Sequence, residues 1–387
     1  MTFSPSSTSV PTPSAPARAS GRRWLWRDID DVRDLFGSVT PNWYASIMGT
    51  GIVAVAAATL PFQSSALRIW ATGVWILATL LLITLTVAFF VHLRVAASKA
   101  RGYLTHPVMA HFLGAPPMAL LTVGSGTLLL GGDLLGQRTV VVVDAVLWTL
   151  GTLLGLACAW YVTYTTFIGR NHSPVESTFG GRLMPVVPPM VSAASGALLV
   201  PHIPAGEPRL LMFLACYAMF GLSLVASLPI IVMLWTRLVQ HGPGETAMVP
   251  TLWIVLGPLG QSITAANLLG DSAHHAVSAR LATAFELFGV VYGLPVLGFA
   301  LLWASVAAAV TVHRFRGGAP FALTWWSFTF PVGTCVTGVG GLAGHTGSVT
   351  LAWLAGVLYV GLVAAWIVVA TRTFHGSVVS GRLLAPS

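Results

Sequence analysis

Five short motifs rich in glycine and proline interrupt apolar stretches of this 387-residue chain: 48-MGTG-51, 114-GAPP-117, 185-PVVPP-189, 257-GPLG-260 and 330-FPVG-333. Proline removes one intrahelical hydrogen bond and frees a carbonyl. In hydrocarbon that carbonyl must be satisfied by protein or by water in a cavity. The groups near the motifs are hydroxyls, not charges: Thr50, Thr122, Ser192, Ser195, Thr329 and Thr334. Kinked backbone and hydroxyls offer partial charges that can replace part of a small solute's hydration shell, with selectivity set by size and dehydration. They do not make or break covalent bonds. No HExxH or GxSxG occurs and His and Cys do not cluster, so an intramembrane enzyme would lack its nucleophile–base or metal-ligand set. The scattered Cys158, Cys216 and Cys335 read as small hydrophobes, and neither a metal nor a cofactor is expected.

Phe330 is the one bulky aromatic directly beside a proline of these motifs. Spacing alone reads it as a packing residue facing lipid or core. Turned inward, it would instead block passage sterically and by dewetting, as a hydrophobic gate. His106 and His111 precede the third apolar stretch and Arg182 the fifth, with Arg170 and His172 beside it. Each histidine alone reads as a solvated loop residue. Together, basic groups at one mouth would concentrate anions.

The elements that must position these residues are membrane spans. Apolar residues make up 55% of the chain and charged residues 8%, with a mean hydropathy of +0.81. Soluble domains carry roughly a quarter charged residues. Ten stretches approach the about 20 apolar residues that a spanning helix needs: 42–61, 69–92, 112–131, 139–163, 183–201, 210–236, 249–269, 282–311, 321–343 and 349–371. The five motifs fall in the odd-numbered stretches at intervals of roughly 70 residues, one helical hairpin. Even stretches such as 74-VWILATLLLITLTVAFFV-91 read as plain lipid-facing helices, although Pro229 and Pro295 interrupt two of them. Kinks and small residues also serve ordinary helix packing. Five at matching depth point to five inner helices around a hydrated axis, with five outer helices against lipid. The expected intramembrane carboxylates, Asp144 and Glu286, lie near the ends of even stretches. A proton-coupled carrier would place one within the pore.

Arg68, Arg138, Arg209 and Arg280 fall on one side of this topology and the other fifteen of the 19 Lys and Arg residues on the opposite side. The positive-inside rule makes the richer side cytoplasmic, with both termini there. The +8 net charge is thus a topology signal and not a nucleic-acid footprint. Residues 1–23, rich in Ser, Pro and Thr, lack the apolar core of a signal peptide and read as a disordered cytoplasmic tail. In 24–37, Leu25, Ile29, Val32 and Phe36 share one face of an amphipathic interfacial helix. The ten-helix domain occupies 38–375 and a short cytoplasmic tail 376–387.

The stretch 39-VTPNWYASIMGTGIV-53 resembles the first span of the tellurite-resistance/dicarboxylate transporter family. Likewise 250-PTLWIVLGP-258 and 324-TWWSFTFP-331 resemble its seventh and ninth spans, and the resemblance covers about residues 36 to 375. That family includes malate permeases, sulfite efflux pumps, tellurite-resistance proteins and slow anion channels. The resemblance implies a pseudo-five-fold ring of inner helices around a pore, commonly in a homotrimer, and a gating phenylalanine whose position here is Phe330. The matching inner-span kinks surround Gly51, Pro117, Pro189, Pro258 and Pro331, and Gly49, Thr50 and Thr329 join them as expected pore-lining residues. His106, His111 and Arg182 would form the vestibule, and Trp325 and Trp326 would sit at the inner interface.

The expectation is an all-α, multi-pass plasma-membrane protein that passes small anions passively, C4-dicarboxylates such as malate first. Its partners would be the anion and membrane lipid, not nucleic acid. The alternative is a sulfite or tellurite efflux pump, possibly proton-coupled through Glu286.

Overall fold

The computed structural model describes residues 37–169 and 174–384. The tail 1–23, the expected interfacial helix apart from Gly37, Arg170, His172 and the last three residues lie outside the described residues. Each of the ten expected stretches contains a helix: α1 (Tyr44–Thr59), α2 (Ser65–Val95), α3 (Ala115–Leu130), α4 (Gln137–Phe167), α5 (Pro188–Leu199), α6 (Glu207–His241), α7 (Leu256–Ala276), α8 (Ala279–Phe315), α9 (Phe330–Thr346) and α10 (Val349–Phe374). No strand occurs among the described residues.

Proline marks where four of the five odd-numbered helices begin. Pro116, Pro188 and Pro331 occupy the first two positions of α3, α5 and α9, and Pro258 the third of α7. A missing N–H is harmless there, because the first turn has no intrahelical partner for it. The sequence reading placed these prolines at kinks within continuous spans. They start helices instead, and the chain approaches each through a short turn. Those approaches are 3-10 at Pro41–Trp43, Gly180–Leu183, Thr246–Val255 and Leu323–Phe328. Before α3 the approach includes a single α-turn, Met109–Phe112. As a result α1, α5 and α9 have only 16, 12 and 17 residues. Among the described residues, seven stretches are long and apolar enough to cross a membrane: the five even-numbered helices, with α10 continuing to Val379, and Met109–Leu130 and Thr246–Ala276, which contain α3 and α7.

Burial divides the helices into two classes. In the apolar windows of the even-numbered helices 22–33% of residues are buried, against 72% and 89% in the segments containing α3 and α7. The exposed faces of the even helices carry large apolar side chains such as Ile83, Phe90, Leu153, Val225, Val291 and Val360. Water would penalise such faces, whereas lipid does not. The protein is a multi-pass, all-α membrane protein.

Each short helix packs on the next: α1 on α3, α3 on α5, α5 on α7, α7 on α9, and α9 back on α1. Each even helix lies over the junction of two of them, α2 over α1 and α3, α4 over α3 and α5, and so on to α10 over α9 and α1. The approach of α7 to α9 is backbone to backbone. A Cβ on Gly260 would stand 2.5 Å from the Cys335 amide nitrogen and 2.6 Å from the Thr334 carbonyl carbon. One turn on, Thr264 and Thr337 hydroxyls bond across the same seam at 2.7 Å.

Trp325 and Trp326 are buried, in place of the expected interfacial position. Trp325 stacks on Phe315 at 5.0 Å beneath the Arg372 guanidinium, and Trp326 donates to Thr373 Oγ1 at 3.0 Å. Tertiary packing of the approach to α9 against α8 and α10 takes both indoles away from lipid.

Candidate functional site

Two cavities lie among the five short helices. The wider holds about 230 Å³ and is bordered by the later turns of α1, α3, α5, α7 and α9. Its polar lining includes Thr122, Ser125, Ser195, Gln261, Asn267 and Asp271. The smaller holds about 30 Å³ and is bordered by the first turns of the same helices and the residues just before them, with Met48, Phe112, Met118, Met184 and Ile254 making it apolar. That space is of the order of one water. Phe330 is 3% exposed and borders both cavities, the one residue common to the two linings among the described residues.

Two features favour negative charge here. The five short helices all begin around the small cavity, so their macrodipoles direct positive ends towards it. Gln261, one turn into α7, borders the wide cavity and none of the described hydrogen bonds engages its amide. Hydroxyls are less available: Thr122, Ser125 and Ser195 donate to the carbonyls of Met118, Leu121 and Val191 at 2.7, 3.0 and 2.8 Å. Reorienting one towards a solute gives up a neutral hydrogen bond, about 1 kcal/mol. Gln261→Leu is therefore expected to lower anion flux about fivefold to tenfold in proteoliposomes at unchanged melting temperature, losing one amide donor of about 1–1.5 kcal/mol.

The sequence-predicted lining is only partly brought together. Pro331 borders the small cavity. Gly49 faces Trp326 and Thr329, and Gly51 faces Thr122 and Ala78. Thr50 donates to Ser46 O at 2.7 Å and accepts from Trp366 Nε1 at 3.0 Å, on the side away from the cavities. Thr329 bonds back to Trp326 O at 2.7 Å. Pro117, Pro189 and Pro258 are buried among helices and border neither cavity. Small and ring-closed residues sit where backbones approach, so the lining falls to their neighbours: Ala45, Met48, Ile52 and Val55 on α1, and Val187, Val191 and Ala194 around α5.

The expected vestibule also divides. His106 is exposed, and its Nδ1 accepts the Val108 and Met109 amides at 3.1 Å each, which fixes the turn before α3. His111 is buried edge-on against Phe179 at 5.7 Å and feels the charge of Arg182, so these two come together. Asp144 is buried against Gly124 between α3 and α4, and Glu286 bonds His274 Nε2 at 2.7 Å; neither borders a cavity. Sequence reasoning missed Gln261, Asn267, Asp271 and His345. For the three on α7 the signal was the recurrence of Gln261, Thr264, Asn267 and Asp271 at helical spacing; His345, on α9, belongs to no such row.

Residues 38–374 match the voltage-dependent anion channel family. The chain is 26% identical over 344 residues to a sulfite efflux pump of Arthroderma otae, covering 87% of this chain and 90% of that one. A sulfite efflux pump of Trichophyton rubrum is 28% identical over 311 residues, 77% and 80% of the two chains. An uncharacterized transporter of Methanocaldococcus jannaschii is 28% identical over 310 residues, 78% and 83%.

Proposed function

Because this chain belongs to the voltage-dependent anion channel family, whose members are channels and transporters rather than enzymes, we propose that it passes small anions, sulfite first, passively through a single pore gated by Phe330. The observation that carries the reading is the position of Phe330 between a wide cavity bordered by all five short helices, with Gln261, Asn267 and Asp271 on its wall, and a small apolar one bordered by α1, α3, α7, α9 and the residues that lead into α5. The proposed architecture has ten spans. The short α1, α5 and α9 cross the bilayer together with their 3-10 approaches, and five hairpins form a pseudo-five-fold ring. The excess of Lys and Arg on one side supports cytoplasmic termini in a plasma membrane. A homotrimer follows the family resemblance.

The names of the sulfite efflux pumps move sulfite ahead of malate as the first anion to test. A membrane potential drives anions outward by about 2.3 kcal/mol per charge per 100 mV, so efflux needs no coupled ion. The purified protein in proteoliposomes, at equal pH on both sides, is expected to pass sulfite down an imposed potential, with malate and nitrate as comparison anions. Glu286→Gln is expected to leave that flux within about twofold, since a half-buried carboxylate paired with His274 outside the cavities contributes little. If flux required a pH gradient and vanished in Glu286→Gln, the proton-coupled pump would replace the passive pore.

A further inference from the structure

Asp271 is the one ionisable side chain bordering the wide cavity among the described residues, and a carboxylate there opposes the passage of anions. Its Oδ1 stands 2.7 Å from His345 Nε2, and His345 Nδ1 stands 2.6 Å from Asn267 Oδ1. The Asn267 amide nitrogen donates to Ile263 O at 2.7 Å, which turns its oxygen, an acceptor only, towards the histidine. His345 Nδ1 therefore carries a proton. A neutral imidazole has just one N–H, so the contact with Asp271 requires a second proton, on Nε2 or on the carboxyl. Wherever that proton sits, Asn267, Asp271 and His345 together carry no net charge.

We propose that the proton shared by His345 and Asp271 sets the charge at the wide cavity's mouth and with it the admission of anions. The proposal rests on the anion-pore reading above. With the proton present the mouth is neutral. Without it a bare carboxylate faces the cavity, and of the two bonds that His345 makes to α7 only the one to Asn267 remains. The other ionisable groups near this end are His274 and His275 on α7, Arg280 and Glu286 on α8, Arg209 on α6 and His202 in the turn after α5; Glu286 is held by His274 at 2.7 Å, and Arg209 donates to the His275 carbonyl at 3.3 Å. α1 and α10, which also pack on α9, bring no ionisable residue to this end. Among the described residues Asp271 thus has His345 alone as its partner. A divalent anion is repelled by the bare carboxylate twice as strongly as a monovalent one, so the proton also selects by charge.

The test is sulfite flux in proteoliposomes from pH 5 to 8, the interval in which imidazoles can change charge. The ratio of variant to wild type is taken with nitrate beside sulfite, because nitrate stays monovalent across the interval whereas sulfite titrates and a divalent anion feels the carboxylate twice as strongly. The ratio for the double variant Asp271→Asn/His345→Gln is expected to rise about fivefold between pH 5 and pH 8, as the wild-type mouth becomes charged and that of the variant, which keeps neither ionisable group, cannot. The His345→Gln ratio is expected to start at about one fifth at pH 5 and climb towards one, because its carboxylate is never neutralised by the ring. A purely structural lesion would give a low ratio that does not change with pH. Ratios flat across pH for both variants would overturn this proposal while leaving the anion pore standing. No anion flux through the wild type at any pH would overturn both.

Discussion

Phe330→Ala is expected to raise anion flux at least tenfold in proteoliposomes, read as sulfite efflux under a fixed potential. The ring lies between a wide cavity of about 230 Å³ and an apolar one of about 30 Å³, and it is buried rather than turned to lipid. Removing it joins the two spaces and takes away the apolar surface that would keep the junction dry. A tenfold gain needs a barrier lowered by only about 1.4 kcal/mol. The same change removes a buried aromatic, which costs about 3–5 kcal/mol in a close-packed core. That loss should be smaller here because one side of the ring faces cavities. Phe330→Leu is expected to fall between wild type and alanine in flux. Unchanged flux from alanine-substituted protein with an unchanged melting temperature would remove Phe330 from the mechanism.

Gly260→Val is expected to force α7 and α9 apart, lowering the melting temperature in detergent by about 5–10 °C or preventing recovery of folded protein. Its new Cβ would lie 2.5 Å from a backbone nitrogen of α9, and backbone cannot swing aside as a side chain does. The helices must separate. Overpacking of this kind costs about 1–3 kcal/mol, occasionally more, and each kcal/mol moves the melting temperature by about 2–4 °C in a mid-sized domain. Separation would also break the Thr264–Thr337 bond one turn along. Gly257→Ala is the control, since no atom lies within 4 Å of its would-be Cβ. Equal melting temperatures for Gly260→Val and wild type would mean that α7 and α9 are not held as closely as described.

The spans were legible in the sequence because lipid-facing helices are apolar over long runs; all five even helices appear where hydropathy put them. The motifs were legible too, but what they do was not. Gly49, Gly51, Pro117 and Pro258 were expected to line the cavity, and the structure uses them for contact between helices. Apart from the polar row on α7, helices buried on every side carry no amphipathic stripe, so their sequences do not reveal which face meets a cavity. Of the six hydroxyls singled out at the start, Thr122 and Ser195 border the wide cavity. Ser192 instead accepts from Thr152 at 2.9 Å, and Thr334 donates to Pro331 O at 2.7 Å. Asp271 and His345 escaped notice for a different reason. The apolar runs end near residues 269 and 343, whereas α7 and α9 continue to Ala276 and Thr346. Neighbouring helices shelter the backbone beyond the point where hydropathy fades.

That the two cavities meet at one side chain has a consequence for energetics. An airlock needs two doors that never open together, and only such a device can move cargo against its own gradient. A passage with a single door can be open or shut, and while open it lets the solute run to electrochemical equilibrium. Opening Phe330 would therefore do no work on the anion. Whatever concentration ratio a cell maintains across this protein would have to be sustained by its membrane potential and lost when that potential collapses.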